Sequence, residues 1–144
     1  MKEPTGLLRT DNKRPDGHTL IPWQRGKPIT WDVTVTSTLA DSYLSVSAES
    51  AGAAAELAAT RKIAKYSSLP ASHSFQPIAL ETHGPINNSA VDFLTDLGHR
   101  ISSVTGEERE KQFLFQRIAV ALQRYNAVLL HDSFDVHFED DLDL

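Results

Sequence analysis

The 144 residues include no cysteine. That excludes disulfides, thiol nucleophiles, iron–sulfur clusters and cysteine-ligated zinc, and it permits a reducing compartment. Glycine and proline are scarce, seven each, so the chain is neither collagen-like nor of low complexity. No apolar run approaches the ~20 residues that a membrane span needs. The opening MKEPTGLLRTDNK holds no apolar stretch of the signal-peptide kind. The expectation is an intracellular protein without a membrane partner. No glycine-rich phosphate loop occurs, and the six histidines show no tight metal-ligand spacing. What remains is 40% hydrophobic and 23% charged, the composition and length of one globular domain.

The net charge of -5 argues at first against a nucleic-acid partner, because such proteins concentrate positive charge against phosphates. The charge is unevenly spread. Residues 132–144 hold Asp132, Asp135, Glu139, Asp140, Asp141 and Asp143 and no Lys or Arg, leaving +1 over residues 1–131. The first 31 residues alone carry +3. The expected organisation is therefore a domain over residues 1–131 and an acidic, disordered tail over 132–144.

Strand signals fill residues 4–37, where β-branched and aromatic residues recur between turns. A short run, Thr5 to Arg9, comes first. His18 to Trp23 and Ile29 to Thr36, joined by Gln24-Arg25-Gly26-Lys27-Pro28, read as a hairpin. In the second arm Ile29, Trp31, Val33 and Val35 share one parity and Thr30, Asp32, Thr34 and Thr36 the other, which predicts an apolar face and a polar one. From Asp41 to Tyr66 the text turns alanine-rich, and alanine's propensity predicts one long helix across Gly52 that approaches a sheet closely. Phe75 to Glu81 reads as a further strand. Asn88 or Ser89 is placed to cap a helix ending at Gly106, and a last helix is expected from Glu107 to about His131. The order strand, strand, strand, helix, strand, helix, helix is mixed α/β, with the alanine-rich helix as a crossover between parallel strands.

Asp16 enters the hairpin and Asp32 lies in its second arm, with fifteen residues between them. Two adjacent arms can bring such carboxylates together, and a pair of hard oxygen ligands suits Mg²⁺ or Mn²⁺. Pro15-Asp16-Gly17 is equally a common turn tripeptide. Lys62, Lys65 and Tyr66, at i, i+3 and i+4, project from one side of the helix near its end; cations there also favour the helix dipole. Glu81, at the end of its strand, is a candidate extra ligand or lysine partner, and Glu3 a candidate upstream acid. Trp23 and Trp31 could stack on bases, but their hairpin parity favours packing.

The string KRPDGHTLIPW…GKPITWDVTVTSTLADSY, the helix with RKIAKY, FQPIALETHG and the long closing helix together resemble the C-terminal restriction-like endonuclease domain of reverse transcriptases from non-LTR retrotransposons and related mobile elements. The resemblance covers about residues 3–131. It implies a PD-(D/E)xK nuclease, a restriction-endonuclease-like mixed sheet with two further C-terminal helices, that nicks DNA with Mg²⁺ or Mn²⁺. In that family pattern Asp16 and Asp32 would hold the metal. Lys62 or Lys65 would stabilise the phosphate or position water, with Tyr66 supporting the lysine. Lys13, Arg14, Arg25, Lys27 and Arg61 would contact DNA. The implied partners are DNA and a reverse-transcriptase polymerase domain, and the implied compartment is nuclear for a eukaryotic element.

Two departures stand out: Thr34 occupies the place of the usual lysine two residues after the second acid, and the family's opening helix is missing. They leave an alternative, a catalytically inactive remnant or interaction module on the same fold.

Overall fold

A computed structural model describes residues 14–37, 40–69 and 71–142. The expected strand Thr5 to Arg9, Glu3 and Lys13 lie outside these described residues. Packing divides the chain into two compact units, 1–93 and 94–144.

The first unit contains a three-stranded sheet in the order β1 (Gly17–His18), β2 (Ile29–Thr36), β3 (Ser74–Glu81). β1 runs antiparallel to β2, and β2 pairs parallel with β3 from Ile29↔Ser74 to Thr36↔Glu81. The parallel pair requires a crossover, supplied by α1 (Asp41–Ser47) and α2 (Ala53–Lys65). Helix α3 (Asn88–Thr105) starts in this unit; most of it belongs, with α4 (Glu110–Leu142), to the second. The architecture is mixed α/β, with a three-stranded mixed sheet and four helices.

The hairpin differs from the alternation-based expectation. Regular pairing ends at His18, and Leu20 and Ile21 are exposed rather than strand-bound. Pro22 lacks the N–H that a continued ladder would use. The chain closes instead through a two-residue turn. Gln24 and Lys27 exchange N–H and C=O bonds around Arg25 and Gly26, both at positive φ (52° and 72°). These dihedrals define a type I′ turn, which matches the twist of antiparallel strands.

The expected single helix is two. Residues 48–52 separate α1 from α2, with Gly52 at φ 86°, left-handed backbone that only glycine adopts without strain. Alanine propensity acts residue by residue and does not span that reversal. The alanines do serve close approach: Ala55, Ala58 and Ala59 pack against Ala79 of β3, with Tyr43 at the edge.

Burial on β2 also departs from the expected parity. Thr30, Asp32 and Thr36, the polar set, are buried, while Val33 of the apolar set is 44% exposed. A parallel strand under a crossover helix is covered on a face that need not be the apolar one. Here α2 covers the polar side, and the buried hydroxyl of Thr36 donates to Leu80 O at 3.3 Å.

Helix α3 begins one residue earlier than a cap at Asn88 or two earlier than one at Ser89 would place it: its cap is Asn87, whose C=O accepts from the Ala90 and Val91 N–H groups. In the second unit Gly98 of α3 passes the Lys111 backbone so closely that a Cβ would lie 2.7 Å from the Lys111 Cα. Helix α4 starts at Glu110, three residues later than expected, because Glu107 and Arg109 engage each other in the preceding loop at 2.9 Å. It continues as helix through 132–142, across the segment that composition sets apart as a tail.

Candidate functional site

The site forms at the C-terminal end of α2. Asp32, in the middle of β2, is only 4% exposed. Opposite it in β3 stands Pro77, whose missing N–H costs nothing at a sheet edge. Alanine packing brings α2 down onto this face, and one turn before its end Lys62 reaches across. Its Nζ lies 2.6 Å from Asp32 Oδ2.

Asp16 arrives from the other side. Its N–H donates to Trp31 O at 3.1 Å, just outside the paired Gly17. Its Oδ2 accepts the Val33 N–H at 2.6 Å, replacing a ladder carbonyl where β1 is absent. The carboxyl groups of Asp16 and Asp32 are close enough to interact directly. Burial holds the Asp32 carboxyl above its ordinary value; the Lys62 ammonium opposes that rise, and the neighbouring Asp16 adds to it. Two carboxylates and one ammonium thus share a small, partly desolvated space.

Tyr66, the first residue after α2, is 2% exposed and donates its hydroxyl proton to Arg14 O at 2.8 Å. That bond ties the helix end to the segment entering Asp16. The Tyr66 ring also stacks at 4.8 Å on Phe75. Lys65 lies over the Tyr66 ring, 5.2 Å from its centroid. Of the two candidate lysines, then, Lys62 reaches the Asp32 carboxylate and Lys65 rests on the aromatic face.

Glu81 is not part of this group. It sits four residues along β3 from Pro77, about 13 Å away at strand rise. Its Oε1 accepts Ala55 N–H at 3.2 Å, at the opposite end of α2. Among the cations named for DNA contact, Arg25 and Lys27 stand exposed at the hairpin turn. The Arg61 guanidinium covers the Tyr43 ring at 5.2 Å. Arg14 contributes its carbonyl to Tyr66. Trp23 is edge-packed on Phe93 at 5.2 Å rather than open for stacking.

Sequence reasoning passed over His18 and Thr30. They form a register pair next to the acids, and their buried Nδ1 and Oγ1 find no hydrogen-bond partner among the described residues. The signal was available: His18 lies two residues beyond Asp16, hence on the same strand face.

Among the described residues no cluster of three His, Asp or Glu side chains forms a metal cage. The donor set is two carboxylates, which fits an ion that keeps several waters, Mg²⁺ or Mn²⁺, and does not fit a fully protein-bound ion. Comparison of the chain with protein-family models, curated proteins and solved structures finds no match.

Proposed function

We propose that residues 1–131 carry a restriction-endonuclease-like domain, its reacting groups in the first unit, that hydrolyses DNA phosphodiesters with Mg²⁺ or Mn²⁺, of the kind found in reverse transcriptases of mobile elements. The observation carrying this reading is the convergence of Asp16, Asp32 and Lys62, three ionisable groups from a loop, a strand and the crossover helix. A structural ion pair needs one acid; the second carboxyl beside it raises the electrostatic cost and supports a cation-binding role.

Asp16 and Asp32 would hold the divalent ion, which when bound supplies an acidified water and neutralises charge on the phosphate. Lys62 supplies a fixed positive charge beside the acids, able to stabilise a phosphate oxygen or orient the attacking water. This supports Lys62, carried on the helix, in the duty that Thr34 cannot perform. Tyr66 keeps Asp16 in place by anchoring Arg14. Arg25, Lys27 and Arg61 offer the sequence-independent backbone contacts that nicking requires.

The test is conversion of supercoiled plasmid to nicked circles with Mn²⁺ by wild type and Asp32→Ala. Nicking by wild type alone supports the reading; equal rates remove it. A wild type that neither nicks nor gains thermal stability with Mn²⁺ establishes the alternative, an inactive module on this fold.

A further inference from the structure

In the candidate site a side chain already stands where a cation is wanted. Lys62 Nζ is 2.6 Å from Asp32 Oδ2, with the Asp32 side chain 5% exposed and that of Lys62 24%. Apart from that ammonium, Oδ2 is buried and finds no hydrogen-bond partner among the described residues. A buried carboxylate oxygen without a cation is costly, so Lys62 supplies what the metal-free protein needs. The compensation is incomplete. Two carboxylates against one ammonium leave one negative charge unbalanced, whereas a divalent ion offsets both.

The three groups differ in how firmly they are held. Asp32 stands mid-strand, and Asp16 is anchored by its own N–H to Trp31 O and by the Val33 N–H to its Oδ2. Lys62 projects from the last turn of α2 on a flexible four-carbon stem. Two cations at one oxygen repel each other, and only the lysine can give way without unpairing the sheet.

We propose that Lys62 is the resident counter-ion of the acid pair and a competitor of the divalent ion: it holds Asp32 Oδ2 in the metal-free protein and releases it when Mg²⁺ or Mn²⁺ is bound. This exchange rests on Asp16 and Asp32 being metal ligands, and it gives Lys62 two partners in turn. After release the ammonium stays beside the acids, because α2 carries it, and is free for a phosphate oxygen of the DNA. Lys62 thereby lowers the affinity of the site for metal and holds its own charge ready for the loaded state. Lys65 supplies the contrast: it carries the same charge three residues on, but lies over the Tyr66 ring.

Mn²⁺ binding, followed by the electron paramagnetic resonance of the free ion, tests the exchange without recourse to cleavage; binding at the site is the part that Asp32→Asn removes. Lys62→Met is expected to bind Mn²⁺ about tenfold more tightly than wild type. Lys65→Met, which removes a charge without vacating Asp32, stays within about twofold. Circular dichroism checks that both variants keep wild-type helix content. A second measurement uses the wild-type chain alone and decides the matter if Lys62→Met does not fold. Amine acetylation read by mass spectrometry is expected to be slower at Lys62 than at Lys65 in the metal-free protein, and to rise at Lys62 only when Mg²⁺ is added. If neither wild type nor Lys62→Met binds Mn²⁺ at the site, the assignment of the acids as metal ligands falls, and this exchange with it. If both bind and Lys62→Met is no tighter than wild type, or Lys65→Met tightens equally, or acetylation of Lys62 ignores Mg²⁺, the exchange alone is overturned and the acids remain metal ligands.

Discussion

Two carboxylates on one face of the β2–β3 pair are equally buried, Asp32 and Glu81 at 4% each, yet their surroundings differ. Glu81 accepts a backbone N–H in the first turn of α2, where the helix dipole favours an anion. Asp32 faces a second carboxyl and a lysine, and its pKa is raised. Burial alone therefore does not mark a functional acid. A buried acid satisfied by backbone stabilises its fold, while one crowded by another acid is held at a cost that function can use.

The sharpest break of this comparison is Asp32→Ala, expected to lower Mn²⁺-dependent nicking by on the order of 100-fold or more while circular dichroism stays that of the wild type. Glu81→Ala should behave in the opposite way. It leaves the Ala55 N–H without its buried acceptor, for a loss of about 1–3 kcal/mol in denaturant unfolding, with nicking per folded molecule unchanged. If Glu81→Ala lost activity but kept stability, the roles would be reversed.

The pH dependence tests Asp32 by itself. Because the folded-state pKa of Asp32 is raised above the ordinary 3.8, the native state takes up this proton before the unfolded chain does as pH falls. The carboxyl costs stability above its raised value, and the cost disappears as pH drops through that value toward 3.8. Metal-free wild type should thus gain on Asp32→Asn over that window in paired thermal melts, and parallel curves would show that Asp32 is not strained.

The smallest expected effect lies at the hairpin turn, far from both acids. Arg25 holds left-handed backbone at φ 52°, which costs a side chain about 1–2 kcal/mol. Arg25→Asn, the preferred residue before glycine in a type I′ turn, should stabilise by about 0.5–1 kcal/mol in denaturant unfolding, while loss of one backbone-contacting cation slightly weakens DNA binding and flattens its salt dependence.

Much of the scaffold was legible in the chain. β2, β3 and α3 follow from residue type and periodicity, and the crossover follows from a helix between two strands. The break at Gly52 was not legible, because alanine propensity is a sum of local terms and a backbone reversal is decided by where the helix must land. Nor was the burial of Thr30, Asp32 and Thr36. Alternation separates a strand's two faces but does not say which of them a helix will cover. The candidate acids and lysines were nameable from Pro15-Asp16, Asp32 and the Lys62–Tyr66 run; the choice between Lys62 and Lys65 was not.

The sequence by itself set the parity that puts Asp32 among polar residues, the alanine surface that permits close packing, and the acidic end of the chain. Tertiary structure alone decided that α2 lies over the polar side of β2, that Lys62 meets Asp32, and that Glu81 serves the far end of the helix. The reason is physical: helical and strand periods follow from local geometry, whereas contact between elements depends on how each one docks, a choice made jointly by all of them.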